Sequence, residues 1–165
     1  MNYKLFTNLK VIQSILFLFI PLFLWLIVGE RLNSLSDYAY SAPMFFALSL
    51  TLAGALFFYD GFVDPGRWFN MVLGVCLFGA VLTPNQDAPV LHYIFAGLFF
   101  VGSVFNMVYF SNSKERVFNI LTGVFVVLGM FGHYFFNFYS LFWAEWLGMV
   151  PISGHYIFEA LNKTK

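Results

Sequence analysis

The sequence predicts an all-α, polytopic membrane protein: one integral membrane domain over residues 1–165, a six-transmembrane-helix bundle with both termini cytoplasmic. Apolar residues make up 61% of the chain, aromatics 22% and charged residues 10%. A soluble domain carries about a quarter charged residues and under half apolar ones. Six apolar segments approach the roughly 20 residues needed to cross a hydrocarbon core of about 30 Å, and the basic residues gather in alternate gaps between them. A soluble chain of this composition would expose patches apolar enough to aggregate, which excludes a soluble enzyme and a disordered chain. Eight basic and eight acidic residues cancel. No net field remains to steer an anionic polymer, so no nucleic-acid partner is expected. Cys76 stands alone, which excludes a disulfide framework and a Cys-rich zinc site.

The first span is read at residues 11–29. Lys4 and Lys10 precede it as they would a signal peptide, but the run from Val11 to Val28 exceeds the roughly 7–15-residue signal core. The nearest small pair, Ala39 and Ser41, lies too far downstream for cleavage, so the segment is kept as a helix. Glu30 to Ser41 is a polar loop, and Ser41 followed by Pro43 reads as the start of the second span, 43–59. Asp64-Pro65-Gly66 reads as a turn into the third span, 67–83, after which Thr83-Pro84-Asn85-Gln86-Asp87 cannot continue a helix. Asp87, just before Pro89, reads as the N-cap of the fourth span, 90–110. The polar stretch from Ser111 to Arg116 leads into the fifth, 116–137. Asn137, Tyr139 and Ser140 then break a run too long for one crossing and open the sixth span, 141–161. Continuous apolar runs favour helices, which satisfy their own backbone in lipid, over the alternating strands of a barrel. Pro21 and Pro151 are expected to kink their helices. Ala47, Thr51 and Ala55, Asn70 and Gly74, and Gly123, Gly129 and Gly132 supply small residues for close helix packing.

Orientation follows from the basic residues. With the N-terminus inside, the cytoplasmic side holds Lys4, Lys10, Arg67, Lys114, Arg116, Lys163 and Lys165, and the opposite side holds Arg31. A cell membrane of the bacterial inner-membrane kind is the expected location.

Ionisable groups within spans are costly and are functional candidates by default. At about 1.5 Å per residue, His92 and Glu145 fall near the outer starts of the fourth and sixth spans, and His133 falls near the outer end of the fifth. With Ser36 and Asp37 of the first outer loop they form a candidate polar pocket: Ser36, Asp37, His92, His133 and Glu145. Glu145 inside a span needs a partner; His92 is first choice by depth and His133 the reserve. Each member also has a plainer reading. Tyr38, Tyr40, Trp143 and Trp146 fit an interfacial aromatic belt, and His133 can reach interfacial water. On the inner side His155 and Glu159 share a helical face near Lys163, as an interfacial ion pair would. Asp60 and Asp64 flank a turn where Arg67 can pair with one of them, and solvation and capping account for both.

No phosphate loop, H-E-x-x-H helix or G-x-S-x-G elbow occurs. His92, His133 and His155 form no H-x-x-x-H pair, and two His with one carboxylate is the most the outer face offers a metal. No cofactor and no metal are expected, and no catalytic residue is assigned.

Four motifs follow one another from about residue 34 to 150: Ser34-Leu35-Ser36-Asp37-Tyr38-Ala39-Tyr40-Ser41-Ala42-Pro43, Arg67-Trp68-Phe69-Asn70 with Gly74, Leu91-His92-Tyr93-Ile94-Phe95-Ala96, and Ala144-Glu145-Trp146. In order and spacing they resemble the damage-regulated autophagy modulator type of six-helix proteins and a set of uncharacterised small bacterial membrane proteins. The chain departs from that family in its short loops and over its first span. The resemblance implies a six-helix bundle and a role in membrane-lipid organisation or trafficking, and it brings no catalytic residues. Intramembrane metal hydrolases of the alkaline ceramidase and adiponectin receptor type have a seventh span and an H-x-x-x-H pair, both missing here.

The leading expectation is a non-enzymatic, lipid-interacting protein with a pocket around His92 and Glu145. The alternatives are a lipid-modifying hydrolase or transferase, with His92 as base and Glu145 or Asp37 orienting it, and an accessory subunit of a larger membrane complex. Membrane lipids are the expected partners, with a membrane-protein partner or a homo-oligomer open.

Overall fold

The computed structural model describes residues 3–111 and 116–162, with side chains over 7–111 and 116–161. In chain order it contains α1 (Tyr3–Val28), a 3-10 turn (Leu35–Asp37), α2 (Tyr38–Ser41), α3 (Pro43–Val63), a second 3-10 turn (Pro65–Arg67), α4 (Phe69–Leu82), α5 (Pro89–Tyr109), α6 (Arg116–Tyr134) and α7 (Leu141–Asn162). Among the described residues there is no strand. The six long helices stand at the six apolar segments, and α2 is one turn within the first loop. We call the end carrying the α1–α3, α4–α5 and α6–α7 connections the upper end.

Helix boundaries follow local chemistry. Pro43 and Pro89 open α3 and α5, where proline lacks only an amide that would be unpaired anyway. The N-caps are Ala42 and Ala88, and neither caps with a side chain. Asp87 therefore lies one residue too early to cap α5, and its carboxylate accepts from the Tyr40 hydroxyl at 3.4 Å instead. α6 stops at Tyr134, three residues before the expected 137, and the chain turns at Asn137 with φ 52°. That left-handed backbone suits asparagine. α1 and α7 run on through Pro21 and Pro151.

Each long helix packs on its chain neighbour, and α7 closes the ring against α1. The α3–α4 contact is the most intimate because glycines face each other. A Cβ on Gly74 would lie 2.5 Å from the Gly54 carbonyl oxygen, and one on Gly61 would lie 2.5 Å from the Met71 nitrogen. Gly74 thus packs as its spacing suggested. Ala47, Thr51 and Ala55 do not: Thr51 and Ala55 are exposed, and the buried stripe of α3 is Ser49, Ala53, Gly54 and Phe57. At mid-height Phe17, Phe57 and Phe99 meet edge to face with centroids 5.4–5.8 Å apart, and Tyr156 joins Phe57 at 5.2 Å.

Four helices are long and apolar enough to cross a membrane: α1 over Thr7–Val28, α3, α5 and α6. By this measure there are four, not six. α4 has 14 residues, about 21 Å of helix, because Asp64-Pro65-Gly66 and Thr83-Pro84 clip both ends. α7 has the length, but Glu145, His155 and Glu159 lower its hydropathy, and all three are buried in the bundle.

Candidate functional site

The upper end is built around the 3-10 turn. Ser34 accepts from the Asp37 amide at 3.2 Å, and the Asp37 carboxylate accepts from the Ser34 amide at 3.0 Å, a reciprocal capping box. Asp37 also accepts from Asn85 Nδ2 at 3.1 Å, tying the first loop to the α4–α5 loop. It is a capping residue turned away from the cavity described below, contrary to its expected place in the pocket. Tyr38 is 0% exposed rather than interfacial; its hydroxyl donates to the Glu30 carbonyl at 3.1 Å and accepts from the Leu32 amide at 3.3 Å. Tyr40 and Trp143 do present their rings at the surface of this end.

Burial raises the Tyr38 phenol above its usual ionisation range. An unfolded tyrosine ionises near about pH 10, so the folded form keeps a proton that the unfolded form releases. That contribution is complete below about pH 10 and is lost as pH rises above it. Between about pH 9 and pH 11, Tyr38→Phe is expected to lose less melting temperature than the parent; equal losses would contradict this.

The turn presents Leu35 and Ser36 to two helices at once. The Leu35 amide donates to Glu145 Oε2 of α7 at 2.6 Å, and Ser36 Oγ lies 2.7 Å from His92 Nε2 of α5. His92 Nδ1 is 2.9 Å from the Thr83 carbonyl and 3.1 Å from that of Ala80, both at the open end of α4. Carbonyls only accept, so Nδ1 carries the proton in the neutral ring and Nε2 accepts from the Ser36 hydroxyl. Glu145 and His92 thus make no hydrogen bond to each other. Adjacent residues of the first loop satisfy them separately, and both side chains face one cavity of about 50 Å³ lined also by Ser36, Phe17, Phe99 and Met149.

A larger groove of about 480 Å³ lies beside it, between α5, α6 and α7. Its walls include Tyr93, Gly97, Val101, Met130, Tyr134 and Leu141, with His92, His133 and Glu145 as polar members. His133 Nδ1 donates to the Tyr139 carbonyl at 2.7 Å, which holds the ring at the α6–α7 turn. The cavity and groove share His92, Ala96, Phe100 and Glu145 as a common wall. Of the five predicted residues, Ser36, His92 and Glu145 line the cavity, His133 joins the latter two on the groove, and Asp37 stands apart. Among the described residues no three His, Cys, Asp or Glu converge as metal ligands.

A second polar cluster, not expected from the sequence, lies at the lower end. Lys10 Nζ lies 2.8 Å from Glu159 and 3.2 Å from Asp60, and Arg67 Nη1 also donates to Glu159. Asn70 donates to Asp60, and Asn106 and Tyr156 donate to Asn70 Oδ1 at 2.8 and 2.7 Å. His155 donates to Asn119 Oδ1 at 2.9 Å. Lys10 and Glu159 are 2% and 3% exposed. Glu159 therefore stands in a buried clamp with Lys10 and Arg67 rather than at an interface, and the expected contact with Lys163 lies outside the described residues. Solvation does not explain Asp60 either; it is buried between Lys10 and Asn70. One signal was available. Lys10, Gln13 and Ser14 stand three and four residues apart in line with Phe17, so they share the core stripe of α1.

Over residues 19–160 the sequence matches the model of a family of unknown function, DUF7103. The chain belongs to this family. The matched region takes in Ser36, His92, His133, Glu145, Asp60, Arg67 and Glu159, and begins beyond Lys10. Comparison with curated proteins and with solved structures gave no match.

Proposed function

We propose that this member of the family is a lipid-binding protein of a cell membrane, crossing it six times, with the upper end outside and both termini in the cytoplasm. What supports six crossings is the surface of the two helices that fall short by hydropathy. The exposed positions of α4 are Val72, Val75 and Leu82, and those of α7 are Trp143, Val150, Gly154, Phe158 and Leu161. Their polar groups point into the bundle, so lipid meets an apolar face. Among the described basic residues Lys10, Arg67 and Arg116 lie at the lower end and Arg31 at the upper, as the charge rule asks of an inside and an outside. A reporter fused after Lys165 is expected to be active in the cytoplasm and silent outside; the reverse would overturn the orientation.

The observation that carries lipid binding is the 480 Å³ groove. Its size lies within the roughly 300–1,000 Å³ of ligand sites, and it pairs apolar walls with a polar end of His92, His133 and Glu145. That is the shape of an amphiphile with its headgroup at the outer boundary. The implied likeness to proteins of membrane-lipid organisation points the same way. Gly97 lines the groove and has open space above it. Gly97→Trp is therefore expected to fill the groove without disturbing the bundle. Mass spectrometry of lipids extracted from the detergent-purified protein checks this: about one lipid per chain in the parent, and background in the variant at similar melting temperature. Equal lipid content in both would overturn the reading.

A further inference from the structure

Ser36 and His92 have the geometry of a nucleophile and its base. Their 2.7 Å contact is buried, and the two carbonyls on Nδ1 fix the ring so that Nε2 has its lone pair toward the hydroxyl. In hydrolytic triads a third group orients the base and steadies the imidazolium that forms. Here the Thr83 and Ala80 carbonyls hold that position, with the Glu145 carboxyl on the same cavity wall. The nucleophile's own segment is braced by the Ser34–Asp37 capping box, the Asp37–Asn85 contact and the Leu35–Glu145 bond. Space lies beside the pair as well. The 50 Å³ cavity beside Ser36 has room for a group of a few heavy atoms, such as an ester carbonyl. It adjoins the groove through the wall that His92 and Glu145 share.

We propose that Ser36 is an acyl-transfer nucleophile with His92 as its general base, acting on a carboxylic ester of the lipid held in the groove; this rests on the lipid-binding reading above. Ser36 Oγ attacks the ester carbonyl carbon while its proton passes to His92 Nε2. The carbon–oxygen bond to the lipid alcohol then breaks, and that oxygen leaves with the proton from Nε2. Water next attacks the acyl-serine, giving a proton to Nε2, and Ser36 Oγ departs with it. The products are a fatty acid and the free alcohol, with both side chains restored.

The test uses the full chain in mild detergent, exposed to a long-chain alkyl fluorophosphonate and followed by intact mass and peptide mapping. The proposal expects one phosphonyl adduct, on Ser36, absent in Ser36→Ala. His92→Gln, which keeps a hydrogen-bonding side chain without the base, is expected to slow the adduct about 100-fold or more. Gly97→Trp is expected to block this probe while leaving a small dialkyl fluorophosphate reactive, which separates the groove from the dyad. A parent protein that retains lipid yet stays unmodified at Ser36 by both probes would overturn the nucleophile and leave lipid binding standing. Modification of Ser36 with no retained lipid and no effect of Gly97→Trp would overturn the lipid ester as substrate.

Discussion

Glu159→Ala is expected to cost about 3–5 kcal/mol of stability, the range found when one partner of a buried ion pair is removed. Its carboxylate accepts from Lys10 at 2.8 Å and from Arg67, so the change leaves a buried excess of positive charge that Asp60, 3.2 Å from Lys10, and Asp64, 3.8 Å from Arg67, offset in part. Lys10 and Glu159 are nearly inaccessible, so water cannot take over the lost contacts. The clamp joins α1, α7 and the 3-10 turn between α3 and α4, so its loss loosens the lower end of several helices together. Thermal unfolding in detergent measures the effect. Lys10→Met combined with Glu159→Gln should lose less than the sum of the single changes, because the two groups compensate each other. Additive losses would mean that the pair is not coupled.

Gly74→Ala is expected to cost about 3 kcal/mol, the upper end for overpacking, from the addition of one methyl group. The new carbon would lie 2.5 Å from the Gly54 carbonyl oxygen and 2.8 Å from the Phe58 nitrogen. Backbone atoms cannot rotate away as a side chain can, so α3 and α4 must separate along their whole contact. Gly154→Ala is the control, since no atom lies within 4 Å of the added carbon, and it should cost nothing measurable. Similar melting temperatures for the two variants would show that the glycine contact does not set the helix spacing.

The bundle divides by height. Charged residues fasten the lower end, an aromatic layer of Phe17, Phe57, Phe99 and Tyr156 fills the middle, and the cavity opens above it, touching Phe17 and Phe99. The ion-paired lower half and the aromatic layer thus lie directly beneath the cavity, the kind of supporting packing that the proposed Ser36–His92 pair requires.

The all-helical architecture and the loop positions were legible in the chain, because apolar run length, Pro-Asn and Asp-Pro-Gly breaks and backbone self-satisfaction are local properties. The sequence also placed His92, His133 and Glu145 at one end of the bundle, where they line one groove, since rise per residue converts sequence position into height along a helix. Azimuth was not legible. Depth brought His92 and Glu145 to one level, but which group each would meet depended on how the α1–α3 loop folded over them, and that loop inserted Leu35 and Ser36 between them. The same limit hid the lower clamp. Lys10, Asp60, Arg67 and Glu159 lie on different segments, each near a polar boundary where flanking charge, solvation or an interfacial pair was the simpler reading. Only the closing of α7 against α1, with α3 and α4 held by facing glycines, turned those side chains inward toward one another. In a helix the sequence sets height and periodicity; which face points inward is decided by the neighbours it packs against.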